Sequence, residues 1–424
     1  MIRQRILTIV SVLAALLVSA PATLAAFPGR NGMIAFSRTK GASHLFDIWV
    51  MDPSTGKEVD VTNTPAIAEA QVAFAPDGRT IAFAWGSTPY DPTTFVGAGI
   101  GVIQSNGAGR KQVVTAGAGQ STDEPAWTAD GKTILFRRTD GDGSSSVWAV
   151  DAASGAQRQL TVGPTDSSPL GSPDGRRIAY FHQVPFVYPA PNPPSQELIA
   201  DANGANPVAA GPNKISDWSP DGLRFAYFFD SGYLHSISTS AIDGSDAHQL
   251  ADLSGRDDDP AFSPDGQLVV WRNKGTGDLW TIASGGGQPR NLTHQTGDEF
   301  DPSWGSAAAA DTTPPAGKLT GKSRQKLANV VTVTVGCDEV CTARASGTVT
   351  LKKPSQSYRL PGASPQPVAA GGTTALSLRV PNKTGSALRK ALKHHRKAQA
   401  RLKIVVTDIA GNARALARTL TLRL

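Results

Sequence analysis

Two cysteines in 424 residues cannot supply a disulfide framework, so a chain of this length must be held by packed cores. Helix formers are sparse, while 43 glycines and 30 prolines punctuate the chain, which argues against a helical bundle and for many short strands joined by tight turns. Charged residues make up only 18% of the sequence, yet 40% is hydrophobic, so the chain is neither disordered nor collagenous. No Gly-x-Ser-x-Gly pentapeptide occurs, which removes the nucleophile elbow of an α/β-hydrolase from this sequence. Long apolar runs are missing after residue 26.

What is present begins with a compartment signal. Arg3 and Arg5 precede the apolar run Ile6 to Ala20, and small residues follow from Pro21 to Ala26. This is the layout of a secretory signal peptide, with acceptable cleavage after Ala22, Ala25 or Ala26. An uncleaved anchor is the competing reading of residues 1–26. No cysteine stands there to carry a lipid. The expectation is a secreted or extracytoplasmic protein that is not integral to the membrane once the signal is removed.

An internal repeat fills the middle of the chain. Its units are Val72 to Trp85, Pro125 to Arg138, Pro169 to His182, Ser216 to Phe229 and Pro260 to Asn273, with Asp-Gly turns at Asp77, Asp130, Asp174, Asp221 and Asp265. Repeats of 44 to 53 residues with four short strands each are propeller blades. A sixth first strand, Asp301 to Trp304, has no partner behind it, and Gly32 to Ser37 is a second strand without a first. Pairing the two predicts a six-bladed ring over 27–310, closed by the terminal strands so that no sheet edge stays open.

The phrase Ser-Pro-Asp-Gly followed by Ile-Ala-Tyr or its equivalents, and then strands such as Asp47 to Asp52 and Ser146 to Asp151, resembles the TolB-like, WD40-like propeller repeat over about two-thirds of the chain. The resemblance implies the fold; its members range from a periplasmic partner-binding protein to peptidase gating domains and lyases. The partner-binding member carries an extra domain before its propeller, whereas here the extra domain follows, so that member's role is not carried over. Oligogalacturonate lyases resemble this arrangement in using propeller His and Gln residues around a metal, and His44, His182, Gln183 and His294 are the residues here that such chemistry would draw on.

After a linker at 311–318, residues 319–424 show alternating runs that predict a small β-sandwich. Its Asp-Thr-Thr-Pro-Pro opening and the turn Val406 to Asn412 resemble bacterial Ig-like domains. Cys337 and Cys341 are spaced to clip a hairpin tip as a disulfide; free thiols and half a metal site are the alternatives. The overall expectation is thus an all-β chain, a six-bladed propeller followed by an Ig-like sandwich.

The net charge of +6 hides a division. Residues 27–311 carry 19 Lys and Arg against 32 Asp and Glu, whereas 312–424 carry 20 against 3. Either the domains attract each other or the basic one faces an anionic partner, an envelope polymer or lipid headgroups. The densest basic run, Leu388 to Lys403, reads as an amphipathic helix with Leu388, Leu392, His395 and Leu402 near one face; Arg389, Lys390, Lys393, Arg396, Lys397, Arg401 and Lys403 are its anionic-surface candidates. One aromatic, Tyr358, gives nucleic acid almost no stacking platform.

On the propeller, acids introduce several first strands: Asp123, Glu124, Asp166, Asp257, Asp258, Asp259, Asp298, Glu299 and Asp301. They are expected around the channel mouth, where they suit a basic segment or a divalent cation, no other cofactor being implied; turn and capping chemistry is the plainer reading. Tyr90 and Phe95, and Phe186 and Tyr188 amid prolines, sit on two long connections of the same face as aromatic contacts or as a lid. The reading favoured is a non-enzymatic exported binding or scaffold protein that engages a protein or glycan, with the basic domain as spacer or envelope anchor. The alternative is an extracytoplasmic carbohydrate-active enzyme, a metal-assisted lyase or hydrolase, using the channel.

Overall fold

A computed structural model of the chain describes residues 27–40, 45–64, 66–86, 97–183, 195–211, 215–230, 235–253, 258–294, 297–309, 311–352 and 355–424. Residues 27–306 form six four-stranded antiparallel sheets. Blade 1 joins both ends of this region: the strand Glu299–Ser306 pairs with Asn31–Lys40, with Ile34 opposite Trp304 and Arg38 opposite Glu299. Blades 2 to 6 follow in chain order, with innermost strands Ala68–Phe74, Ser121–Trp127, Asp166–Gly171, Ile215–Trp218 and Asp258–Phe262. The fold is a six-bladed propeller closed by strand exchange between its termini.

Alternation along each strand supplies the packing between blades. Phe74 and Phe83 of blade 2 meet Ile48 and Val50 of blade 1, Trp127 and Phe136 of blade 3 meet Ile100 of blade 2, and a layer of this kind lies at each of the other seams. The closing layer is as dry as the rest: Ile34, Phe36 and Met51 pack on Val270 and Leu279 of blade 6. Large side chains buried on both faces of a sheet contribute about 1.5–3 kcal/mol each, which makes the ring cooperative. The recurrent Ser-Pro-Asp-Gly unit is explained locally. In blade 4 the Ser172 hydroxyl donates to Asp174 Oδ1 at 2.7 Å, which also accepts the Arg176 N–H, while Gly175 takes the left-handed φ of 70°. Ser219 with Asp221 and Ser263 with Asp265 repeat the arrangement, so this signature is turn chemistry and not a site.

The second domain begins with the strand Gly317–Thr320, taking in two residues that the sequence pattern leaves in the linker. It pairs with Val330–Cys337, which pairs with Thr373–Arg379; a larger sheet faces this one and holds Cys341–Leu351, Gln356–Leu360, Ala398–Asp408 and Ala413–Arg423. Arg324–Lys326 runs parallel to the last strand, so the N-terminal segment of the sandwich is split between the two sheets. Cys337 and Cys341 are disulfide-bonded across the tip between the second and third strands.

The basic run differs from its expected form. The helix spans Asn382–Lys393 and buries Leu388 and Ala391, and Ala398–Asp408 is a strand. Leu402 therefore belongs to the sandwich core by strand alternation, whereas His395 is exposed and has a left-handed φ of 58° just after the helix. Arg401 and Lys403 stand on a sheet face, away from the helical face on which Arg389, Lys390 and Lys393 are exposed. A period of 3.6 and a period of 2 give overlapping matches over so short a window, and the register with Cys341–Leu351 decides for strand.

The domains meet through the disulfide tip. The Val340 N–H donates to the Asn106 carbonyl at 2.8 Å, and Asn106 Nδ2 donates to Glu339 Oε2 at 2.6 Å. Gly107 has φ 84°, and a Cβ there would fall 2.7 Å from Val340. Asp311, Glu339 and Asp408 bring carboxylate oxygens within 4.8 Å of one another here. Burial first, and then these neighbours with Asp338, push the Glu339 carboxyl up to about 7. Among the described residues, the hydrogen bonds across the seam use Asn106, a backbone carbonyl and Lys57 Nζ on the Ile409 carbonyl.

Candidate functional site

A cavity of about 890 Å³ occupies the propeller channel and is lined by the innermost strands. Each of these strands is interrupted by a register shift. At five of the six, the residue in the bulge takes a left-handed conformation: Asp301, Gln71, Glu124, Ser168 and Asp259, with φ between 50° and 57°. In blade 5 the same place in the repeat is held by Ile215. Such a conformation costs a non-glycine residue about 1 kcal/mol or more, and the bulge uses it to turn a polar side chain toward the channel. Four of the five are followed by proline, which leaves no unpaired N–H in the bulge.

These side chains form a belt around the channel. Asp301 Oδ2 accepts the Gln71 N–H at 3.0 Å, Gln71 Oε1 accepts the Glu124 N–H at 2.9 Å, and Glu124 Oε2 accepts the Ser168 N–H at 2.6 Å. The belt therefore crosses from blade 1 to blade 4 and includes the closing blade. Below it, Asp217 accepts from the Phe262 N–H at 2.8 Å and the Trp218 N–H at 2.9 Å, while burial pushes its carboxyl up to about 7. Burial likewise raises Glu124, opposed by the Arg137 guanidinium, which lies 3.3 Å away.

The acids expected at the mouth divide into two sets. Glu124, Asp259 and Asp301 line the channel together with Arg137 and Asp217. Asp123, Asp166 and Glu299 instead form buried pairs within the blades. Asp123 takes a bidentate hydrogen bond from Arg137 at 2.8 and 2.7 Å, although it also reaches the channel lining. Asp166 Oδ1 lies 2.6 Å from His182 Nδ1. Glu299 is paired with Arg38 and hydrogen-bonded by Thr293 and by the Leu279 N–H, and burial raises its carboxyl despite the cation. Asp298 is exposed, and its N–H donates to Thr39 Oγ1 at 2.9 Å. Tyr90, Phe95, Phe186, Tyr188, Asp257 and His44 lie outside the described residues, as does the side chain of Asp258. His182 is half-buried and His294 exposed.

Sequence reasoning missed Gln71, Ser168, Arg137 and Asp217. Aligning the repeats on the residue before the conserved-looking proline of Glu124-Pro125 and Asp301-Pro302 would have found the first two. Arg137 is found only through its strand register with Asp123. Among the described residues, the channel acids bring no three ligand atoms together; the one such convergence is at the domain seam.

Fold and channel together define a TolB-like six-bladed propeller joined to a β-sandwich. TolB from Acinetobacter baumannii is similar over 65% of this chain and 67% of its own, with a TM-score of 0.53 and 20% identity. Hydrazine synthase of Kuenenia stuttgartiensis covers 93% of this chain and 68% of its own at 0.51 and 11%. At such identities the fold is what is shared. The dipeptidyl-peptidase 5 of Porphyromonas gingivalis is 25% identical over 54% of this chain, and the uncharacterized peptidase YuxL of Bacillus subtilis is 25% identical over 50%. The chain spans 41% and 30% of the length of those two relatives. No family model matches.

Proposed function

We propose that this is an extracytoplasmic, non-enzymatic binding protein, in which the propeller channel takes a cationic segment of a protein partner and the basic sandwich faces the envelope. The observation that carries the reading is the belt: five bulges turn Asp301, Gln71, Glu124, Ser168 and Asp259 into one cavity, three of them carboxylates. Fixed by backbone hydrogen bonds, such a ring offers acceptors to Lys, Arg or an N-terminal amine at little ordering cost. The leader-like segment at 1–26 and the Cys337–Cys341 disulfide support an oxidising compartment. Among the described residues no helix is long and apolar enough to cross a membrane.

A second reading, hydrolytic or lyase chemistry, has the Asp166–His182 pair in its favour, since a carboxylate orients the imidazole there, within blade 4 and outside the residues that line the cavity. The test is a panel of Lys- and Arg-containing peptides and of anionic and neutral oligosaccharides, offered to the mature chain and to Glu124→Gln/Asp259→Asn. Binding of basic peptides that weakens about 10-fold in the variant supports the binding reading. Turnover of any panel member, lost in His182→Ala, overturns it.

A further inference from the structure

The strand register gathers four cations from three strands onto one open surface. Arg359 and Arg401 both stand opposite Thr348, one on either side of it, about 10 Å apart by ordinary strand spacing. Lys403 follows Arg401 on the same face, opposite Ser346, and Arg344 lies one step further along that strand. All four are exposed, and none has a carboxylate partner among the described residues. The domain's three acids, Asp338, Glu339 and Asp408, are confined to the tips that meet the propeller. Among the described residues, docking therefore neutralises none of this face.

We propose that this sheet face, carrying Arg344, Arg359, Arg401 and Lys403, is the docking surface for a linear phosphodiester polymer of the cell envelope. The inference rests on the reading of the basic domain as envelope-facing and gives that reading a site and a ligand class. Three guanidinium forks on one sheet face suit bidentate hydrogen bonds to phosphate oxygens, and Ser346 and Thr348 add hydroxyl donors between them. A bilayer fits less well. The exposed neighbours are Thr342, Ala415, Ala417 and Thr419, with no aromatic or long apolar side chain to enter the headgroup region. The flat surface has no stacking platform for bases.

The test uses the full mature chain and soluble poly(glycerol phosphate) as probe, with affinities measured at about 50 and about 150 mM salt. Arg344→Gln/Arg359→Gln/Arg401→Gln/Lys403→Gln is compared with Lys383→Gln/Arg389→Gln/Lys390→Gln/Lys393→Gln on the helix, which removes the same charge. The face variant is expected to lose about 10-fold or more in affinity and to show a shallower salt dependence, and the helix variant to lose less than about 3-fold. Equal losses mean attraction to net charge and overturn the assignment of the face. Tighter binding to phosphatidylglycerol vesicles or to single-stranded DNA than to the polymer overturns the ligand class. Failure of the wild type to bind the polymer, the vesicles or the DNA overturns the envelope-facing reading as well. Unchanged melting temperatures of both variants verify that the fold is intact.

Discussion

The two domains handle charge in opposite ways. In the propeller, charged groups are drawn inward and paired: Arg38 lies between Glu58 and Glu299, Arg110 reaches Glu69, and Arg137 holds Asp123. The sandwich sequence has 20 cations against three acids, and most of the described cations are exposed. A buried pair fixes geometry because either partner alone is costly, whereas a solvated cation contributes almost nothing to stability and is free to recruit a ligand. A net charge of one sign therefore says little until it is known which charges are already spent.

The largest effect that would break this contrast lies at the closing blade. Arg38 also stacks over Trp49 at 4.5 Å, and Arg38→Ala would strand Glu58 and Glu299; a loss of about 3–5 kcal/mol is expected in denaturant unfolding of the propeller. Arg401→Ala on the sandwich should stay within about 0.5 kcal/mol. If the two substitutions cost the same, the contrast fails.

The domain seam comes next. Gly107→Val adds a branched side chain where even a Cβ would sit 2.7 Å from Val340, and the left-handed φ of 84° resists it further. Separation of the domains, read as an increased radius of gyration in small-angle scattering, is the expected outcome. Cys337→Ser/Cys341→Ser should cost about 2 kcal/mol in sandwich unfolding, since the closed loop is short.

Two buried carboxyls sharpen the comparison through pH. The folded value of Asp217 is about 7, against an ordinary 3.8, so the native state holds a proton that the unfolded chain has already released. Propeller stability should fall as pH rises from about 4 through about 7 and level off above that, and Asp217→Asn should flatten the slope whatever it does to the mean. Glu339 has the same sign at the seam, where Asp408, Asp311 and Asp338 face it and Asn106 donates to it. Docking should loosen as pH rises through about 7, and Glu339→Gln should remove that dependence. Proteolysis of the linker followed across this range is the readout.

A smaller effect is expected in the belt. Gln71→Ala removes one acceptor from the Glu124 N–H, which is expected to cost about 1 kcal/mol and to raise hydrogen exchange at blades 2 and 3 only.

Much of the architecture was legible because propeller blades repeat. Five Asp-Gly turns, an unpaired last strand and an unpaired first one dictate the ring and its closure, and the structure has both. The channel was only half legible. Glu124, inside its inner strand, and Glu299, at the start of one, look alike in sequence, yet a two-residue offset in a period-2 strand, combined with a bulge, sends one to the channel and the other into a buried ion pair with Arg38. Bulges are set by left-handed residues that no hydrophobic pattern reports. Between Leu388 and Lys403, spacing alone could not separate helix from strand, because the partner strand Cys341–Leu351 lies some fifty residues away.

The most direct measurement is hydrogen exchange of the mature chain with and without a Lys-rich peptide at about physiological salt. The account predicts added protection at the inner strands 68–74, 121–127 and 299–306 and none on the sandwich. Protection confined to the sandwich, or absent from the inner strands while the peptide is bound, would contradict it.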